Sequence, residues 1–284
     1  MEKSRKQFIG IMLIMVFMIA LTRGLTISHN MELHPDEHVF FNAAQSLKGY
    51  ISGSSPVYVE EKEYPEGAIV LQLPFHILSS VIARASAALT DIYIYISPQL
   101  SGRIAAVFYF TVGAVLGCVI IYRFFSKKKL PIAIYGLIMV FSLFHEEQSR
   151  YGTGDAISLF LLMAIILLTA SALNSKRNRI FFLYLSYAVS GMLAAVKYPL
   201  IFFSVIPIYA SAKLLNGKTA TKKIGIILIS AISLYVGFAI ISPKAALDPM
   251  YIYRASTREL DAYLGSPQKI TIARIYSHFM SVFT

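Results

Sequence analysis

His34-Pro35-Asp36-Glu37-His38 sets two adjacent carboxylates just beyond the first hydrophobic run of the chain. A second acidic stretch ends in Tyr64-Pro65-Glu66-Gly67. Carboxylates beside a membrane are either solvated charge or groups that accept protons and hold cations. Proline at a first helical position followed by two acids is also an ordinary helix start, because the acids meet the positive end of the helix dipole. Val39, Phe40, Ala43, Ala44 and Leu47 recur at helical spacing, which predicts an amphipathic helix at the membrane with Asp36 at its start. His34 and His38 lie four apart, but the proline between them argues against a two-histidine metal face.

Two more groups have types suited to anion chemistry. In Ser149-Arg150-Tyr151-Gly152-Thr153-Gly154-Asp155, the aspartate follows a glycine-containing turn and opens an apolar run. That is a good helix start, and it also holds a carboxylate at the membrane surface beside Arg150. Lys197-Tyr198-Pro199 stands where two apolar runs meet. A lysine there either snorkels or meets an anion, and the anion is favoured. Arg254 and Arg258 supply further cations near the C-terminal end. Other motifs fail. Gly217-Lys218-Thr219 lacks the upstream glycine and strand of a phosphate loop. Gly113 and Gly117 form a GxxxG pair, which signals close helix packing.

These groups must be positioned by membrane helices. Of 284 residues, 56% are hydrophobic and 14% charged, and the mean hydropathy is +0.63. That balance predicts an all-α multi-pass membrane protein. The lone Cys118 excludes an internal disulfide and a cysteine-based zinc framework. The net charge of +11 sits mostly in short stretches between apolar runs, so it sets orientation and does not indicate nucleic acid as a partner. Met1 to Gly24 has the basic head of a signal peptide but no small-residue cleavage site, so an uncleaved first helix is expected.

Hydrophobic runs occur near 8–27, 68–89, 103–124, 130–148, 156–173, 180–196, 198–215 and 224–242. If all of them cross, with the basic N-terminus inside, then Arg123 with Lys127 to Lys129, and Lys213 with Lys218 to Lys223, fall outside. That violates the positive-inside rule. Removing 68–89, which carries Gln72, Pro74, His76 and Arg84, restores it. Seven crossing helices are then expected, with 68–89 lying in or re-entering the outer interface. The first external loop is 28–102, the N-terminus is cytoplasmic, and residues 1–245 form one transmembrane module. Residues 246–284 would be an external loop and the start of a further helix, which suggests truncation.

The chain resembles the membrane glycosyltransferases of the GT-C fold. The likeness is to bacterial relatives of dolichyl-phosphate-mannose protein mannosyltransferases and of lipid A aminoarabinose transferases. It rests on His34-Pro35-Asp36-Glu37, Tyr64-Pro65-Glu66-Gly67, Ser149-Arg150-Tyr151 through Asp155, and Gly191 through Lys197-Tyr198-Pro199. Pro65-Glu66-Gly67 departs from the family's usual proline step. The resemblance implies a plasma-membrane hexosyl- or pentosyltransferase whose site opens on the outer face. It would move a sugar, with inversion, from a polyprenyl-phosphate donor to an acceptor hydroxyl on a protein, lipid or glycan. Asp36 is the implied base, with Glu37 in support. Arg150, Lys197, Arg254 and Arg258 are candidates for the donor phosphate, and Asp155, Glu66 and Tyr64 for substrate or supporting contacts. No organic cofactor is implied. A divalent metal, as in some relatives, would draw on Asp36, Glu66 or Asp155. The rival reading is a non-catalytic membrane protein, either a lipid-carrier flippase or a scaffold for polysaccharide assembly.

Overall fold

The computed structural model describes residues 2–24, 42, 44, 46, 48, 49, 66–90, 96–125, 128–142, 152–248, 250, 251, 253 and 254. Among these, every regular element is a helix. In chain order they are α1 (Glu2–Gly24), α2 (Glu66–Thr90), α3 (Pro98–Ile120), α4 (Lys129–Phe141), α5 (Asp155–Asn174), α6 (Arg179–Val196), α7 (Val205–Leu215), α8 (Ala220–Ile241) and the short α9 (Pro243–Leu247). A π-helical turn, Ile121–Phe125, extends α3, and a 3-10 segment, Tyr198–Ser204, leads into α7. Ser97 caps α3 by accepting from the Leu100 amide at 3.2 Å, with Pro98 at the first helical position.

Seven helical stretches among the described residues are long and apolar enough to cross a membrane. This is the all-α multi-pass class that the composition predicts. The membership differs from the sequence expectation. Gly67–Ala88 qualifies by length and hydropathy, and Lys129–Phe141 is too short to be counted. Pro74 lies inside α2 without ending it.

Packing distinguishes these two helices. α4 runs beside α1: Gly136 faces Met15, and Arg23 reaches the carbonyls of Met139 and Val140. α1 in turn lies against α3, with Phe8 stacked on Tyr122, Met15 at Cys118, and Arg23 over the Phe110 ring. α1 and α4 therefore end level with Phe110, and α5 begins near the same level, since Tyr109 and Gly113 both meet Phe160. α2 starts at that level and leads away from it. Tyr109 donates to the Leu71 carbonyl at 2.8 Å, Phe75 meets Phe108 and Tyr109, and Ser79 donates to Ser101 at 3.0 Å. α2 and the first turns of α3 thus form an antiparallel hairpin. From Pro98 to Phe110 it extends about 18 Å beyond the end of the bundle, at 1.5 Å per residue.

Three buried clusters hold the helices together. Ile69, Ile157, Leu161, Leu193, Val196 and Ile241 join the starts of α2 and α5 to the ends of α6 and α8. Met15, Ile19, Phe110, Cys118, Ile132 and Met139 join α1, α3 and α4. Ala172, Leu183, Tyr187 and Ala210 join α5, α6 and α7. Small residues allow the closest approaches, as the GxxxG pair suggests. A Cβ on Gly113 would lie 3.2 Å from the Phe160 backbone, and Gly117 receives the Tyr135 ring. Gly191 and Gly237 bring the α6 and α8 backbones into direct contact. Hydroxyl pairs bridge other helices: Thr169 with Ser186 at 2.7 Å and Tyr187 with Ser211 at 2.9 Å.

Candidate functional site

Three helix ends meet beside Asp155. α5 begins after the turn Gly152-Thr153-Gly154, and Gly154 is hemmed in by Val196 and Ala68, 3.2 and 3.3 Å from where its Cβ would stand. α6 ends at Val196, where the Lys197 amide donates to the Leu193 carbonyl at 3.1 Å. Lys197 is extended (φ −147°, ψ 110°), which turns its side chain out of the helix path. α2 begins at Glu66, and a Cβ on Gly67 would stand 2.6 Å from the Ala195 carbonyl oxygen. Only glycine fits there, so the Tyr64-Pro65-Glu66-Gly67 motif owes its last residue to this approach.

The chemistry at this junction is an ion pair. Lys197 Nζ donates to Asp155 Oδ1, and Thr153 Oγ1 donates to Oδ2 at 3.0 Å. Asp155 also gains from the positive end of the α5 dipole. The two side chains are 43% and 32% exposed. An ion pair so open to solvent contributes about 0–1 kcal/mol to stability. Its worth to the fold is therefore small, and its charges are accessible to a solute.

An apolar cavity lies between the end of α6 and the C-terminal half of α8. It holds about 330 Å³ and is lined by Tyr198, Ile201, Leu234, Phe238 and Ala245, among others. Tyr198, one of its lining residues, follows Lys197 directly in the chain.

Of the residues singled out in the sequence, Asp155 and Lys197 are paired, and Glu66 opens the helix that packs against the same junction. Arg254 is occupied elsewhere: its guanidinium donates to Asp248 at 2.7 Å, in an exposed pair. That hydrogen bond holds the Asp248 carboxyl below its ordinary range. Asp36, Glu37, Tyr64, Arg150 and Arg258 lie outside the described residues. Among the described residues no three His, Cys, Asp or Glu side chains gather into a metal-binding group. At Asp155 the neighbouring ammonium opposes a second cation.

Sequence reasoning passed over four buried polar residues. Thr153 orients Asp155. Arg23 is buried, although it ends the first hydrophobic run. Gln72 and His76 are buried on α2, and Gln72 Nε2 donates to the Gly152 carbonyl at 2.8 Å. The last two were visible as polar residues four apart in an apolar helix, but they read only as a cost of crossing. Compared with family models, curated proteins and solved structures, the chain matches none.

Proposed function

We propose that this protein is a GT-C-like glycosyltransferase that takes sugar from a polyprenyl-phosphate donor at the outer face of the plasma membrane. The observation that carries the reading is the half-buried, solvent-accessible Lys197–Asp155 pair, with an apolar cavity lined by the next residue in the chain, Tyr198. Such a site suits an amphiphile with an apolar tail and an anionic head. An acceptor hydroxyl attacks the anomeric carbon as Asp36 takes its proton. The bond from that carbon to the phosphate oxygen breaks, and the lipid phosphate leaves with the electron pair. Lys197 exchanges Asp155 for this developing charge, which the site stabilises electrostatically.

A radiolabel-transfer assay tests the reading, with the protein in proteoliposomes and a panel of polyprenyl-phosphate sugars. Lys197→Ala should lower donor affinity or turnover by about tenfold or more, and Lys197→Arg should recover part of the loss. A second reading comes from the same pair, because Asp155 already matches the lysine charge. In a non-catalytic flippase or scaffold, Lys197 would serve only to neutralise Asp155. The double variant Asp155→Asn with Lys197→Ala separates the two. Wild-type behaviour in donor titrations would favour charge matching alone, and retention of the Lys197→Ala defect favours phosphate binding.

The hairpin of α2 and early α3 supports an outer position for α2. Its exposed Leu78, Val81 and Ile82 suit contact with lipid at the interface. With Cys118 replaced by serine, a cysteine at Ala88 should react with an impermeant thiol reagent outside intact cells. Cysteines at Lys128 and Lys222 should not. Protection at 88 together with reaction at 128 would refute this orientation.

A further inference from the structure

α1 and α4 run side by side in the same direction. Gly136 of α4 faces Met15 of α1, and Arg23 at the end of α1 reaches the last carbonyls of α4. A groove of about 250 Å³ follows the seam between them. Ile11, Ile14 and Met18 wall it on one side, and Ala133, Leu137 and Phe141 on the other. Ile14, Leu137 and Phe141 are exposed, so the groove opens outward, where a membrane helix meets lipid. From Ile11 to Met18 it runs about 10 Å, at 1.5 Å per residue. A Cβ on Gly10, one turn before Ile14, would meet nothing within 4 Å. The seam is therefore open toward the starts of both helices.

Those starts carry positive charge. Lys129 stands one turn before Ala133 and two before Leu137, which puts it on the face of α4 that walls the groove. Arg123 belongs to the π-helical turn, and Phe8 stacked on Tyr122 brings that turn beside the start of α1. Lys6, Arg123, Lys128 and Lys129 are all exposed at this end. Of the described side chains only Asp155 and Asp248 are acidic, and both lie at the other end of the bundle. An apolar groove with cations at one end matches one kind of amphiphile in a bilayer. Its acyl chain would lie along the seam and its headgroup at the helix starts. A zwitterionic headgroup brings its own cation toward Lys129 and Arg123, whereas an anionic one brings net negative charge. We propose that the α1–α4 seam is a site for an anionic phospholipid of the leaflet on the basic side. The site lies at the opposite end of the bundle from the Lys197–Asp155 pair and does not depend on sugar transfer.

The chain has no tryptophan, so a single introduced indole reports on one place. Phe141→Trp sets it at the far end of the groove and keeps an aromatic ring there. Ile232→Trp sets it on the exposed face of α8, away from the seam. Each full-length variant is reconstituted in phosphatidylcholine bilayers. Phosphatidylglycerol or phosphatidylcholine, brominated in the acyl chains, is then added in rising mole fraction, and quenching of the indole is followed. At position 141 the brominated phosphatidylglycerol should reach half-quenching at a roughly 20-fold lower mole fraction than the brominated phosphatidylcholine, about fivefold for each of Lys129 and Arg123. At position 232 the two lipids should quench alike. Lys129→Gln should reduce the preference at 141 about fivefold, and adding Arg123→Gln should remove it. These substitutions change exposed side chains, so folding should be unaffected. Raising the salt from about 0.1 M to about 1 M should also shrink the preference, as screening shortens from ~10 to ~3 Å. Equal quenching by the two lipids at 141, or a preference that survives the double variant, overturns the site. The same preference at 232 as at 141 would reflect general enrichment around the protein and overturns it too. Quenching at 232 with none at 141 would mean that protein, such as a second copy of this chain, covers the seam in place of lipid.

Discussion

Asp36→Asn is expected to insert and fold at wild-type levels and to lose sugar transfer by ~10²–10⁴-fold, the usual contribution of a general base. The substitution keeps the size of the side chain and, at the helix start expected from the sequence, much of the capacity to cap it. It removes only the capacity to take a proton. Loss of a charge at a helix terminus costs about 0.3–1 kcal/mol, far less than the rate effect. Expression and activity should therefore separate cleanly. Glu37→Gln should fall less, because the resemblance gives that residue only a supporting part. Transfer measured from a working polyprenyl-phosphate sugar, alongside the yield of monodisperse protein, checks both parts. Near-normal transfer by Asp36→Asn would remove the base assignment. The motif His34-Pro35-Asp36-Glu37 lies outside the described residues, so this prediction rests on residue type, spacing and family resemblance.

Gly191→Ala should damage the fold as severely as any single methyl group in the molecule. α6 and α8 cross with backbone against backbone. A Cβ on Gly191 would collide with the Leu234 carbonyl oxygen and stand 2.7 Å from the Phe238 nitrogen. Gly237 faces the Ala188 carbonyl in the same way. Backbone atoms cannot rotate aside as a side chain can, so the helices must separate. Overpacking of this kind typically costs about 1–3 kcal/mol and occasionally more. Gly225 is the control on the same pair of helices. Nothing lies within 4 Å of its Cβ position, and alanine there should be neutral or stabilising by up to about 1 kcal/mol. Thermal melting in detergent, followed by the fraction that stays monodisperse, measures both. Equal melting of the Gly191 and Gly225 variants would show that the crossing is not tight.

The helices were legible because long apolar runs and basic clusters are local signals. α2 was the hard case. Its length and hydropathy mark a crossing helix, while its polar residues and the charge pattern around it argue against one. The contacts of α2 with early α3 show why the two signals conflict: its polar face is buried within the protein, and its apolar face is exposed. The candidate site was legible only in pieces. Asp155 and Lys197 stood out separately, each by its position at the edge of an apolar run. Their pairing joins residues 42 apart, and it depends on glycines at 67 and 154 that let three helix ends converge. No periodicity in a single stretch encodes that approach. Thr153 was hidden for a different reason, since a threonine in a glycine turn has no distinctive signature.

Arg23 carries a consequence for how the protein is made. It donates to the Val140 carbonyl at 2.9 Å, a partner 117 positions later in the chain. The carbonyls it reaches belong to the last turn of α4, where no amide within the helix can serve them. The guanidinium thus supplies a donor that the end of α4 lacks. During synthesis, α1 leaves the ribosome long before those carbonyls exist. Its terminal guanidinium must meanwhile stay among water and lipid headgroups. Once α4 arrives, the charge is drawn under Phe110 and the end of the new helix. α1 is thus locked only once α4 has been made, and until then it waits as a loosely seated anchor for a strap that closes over it.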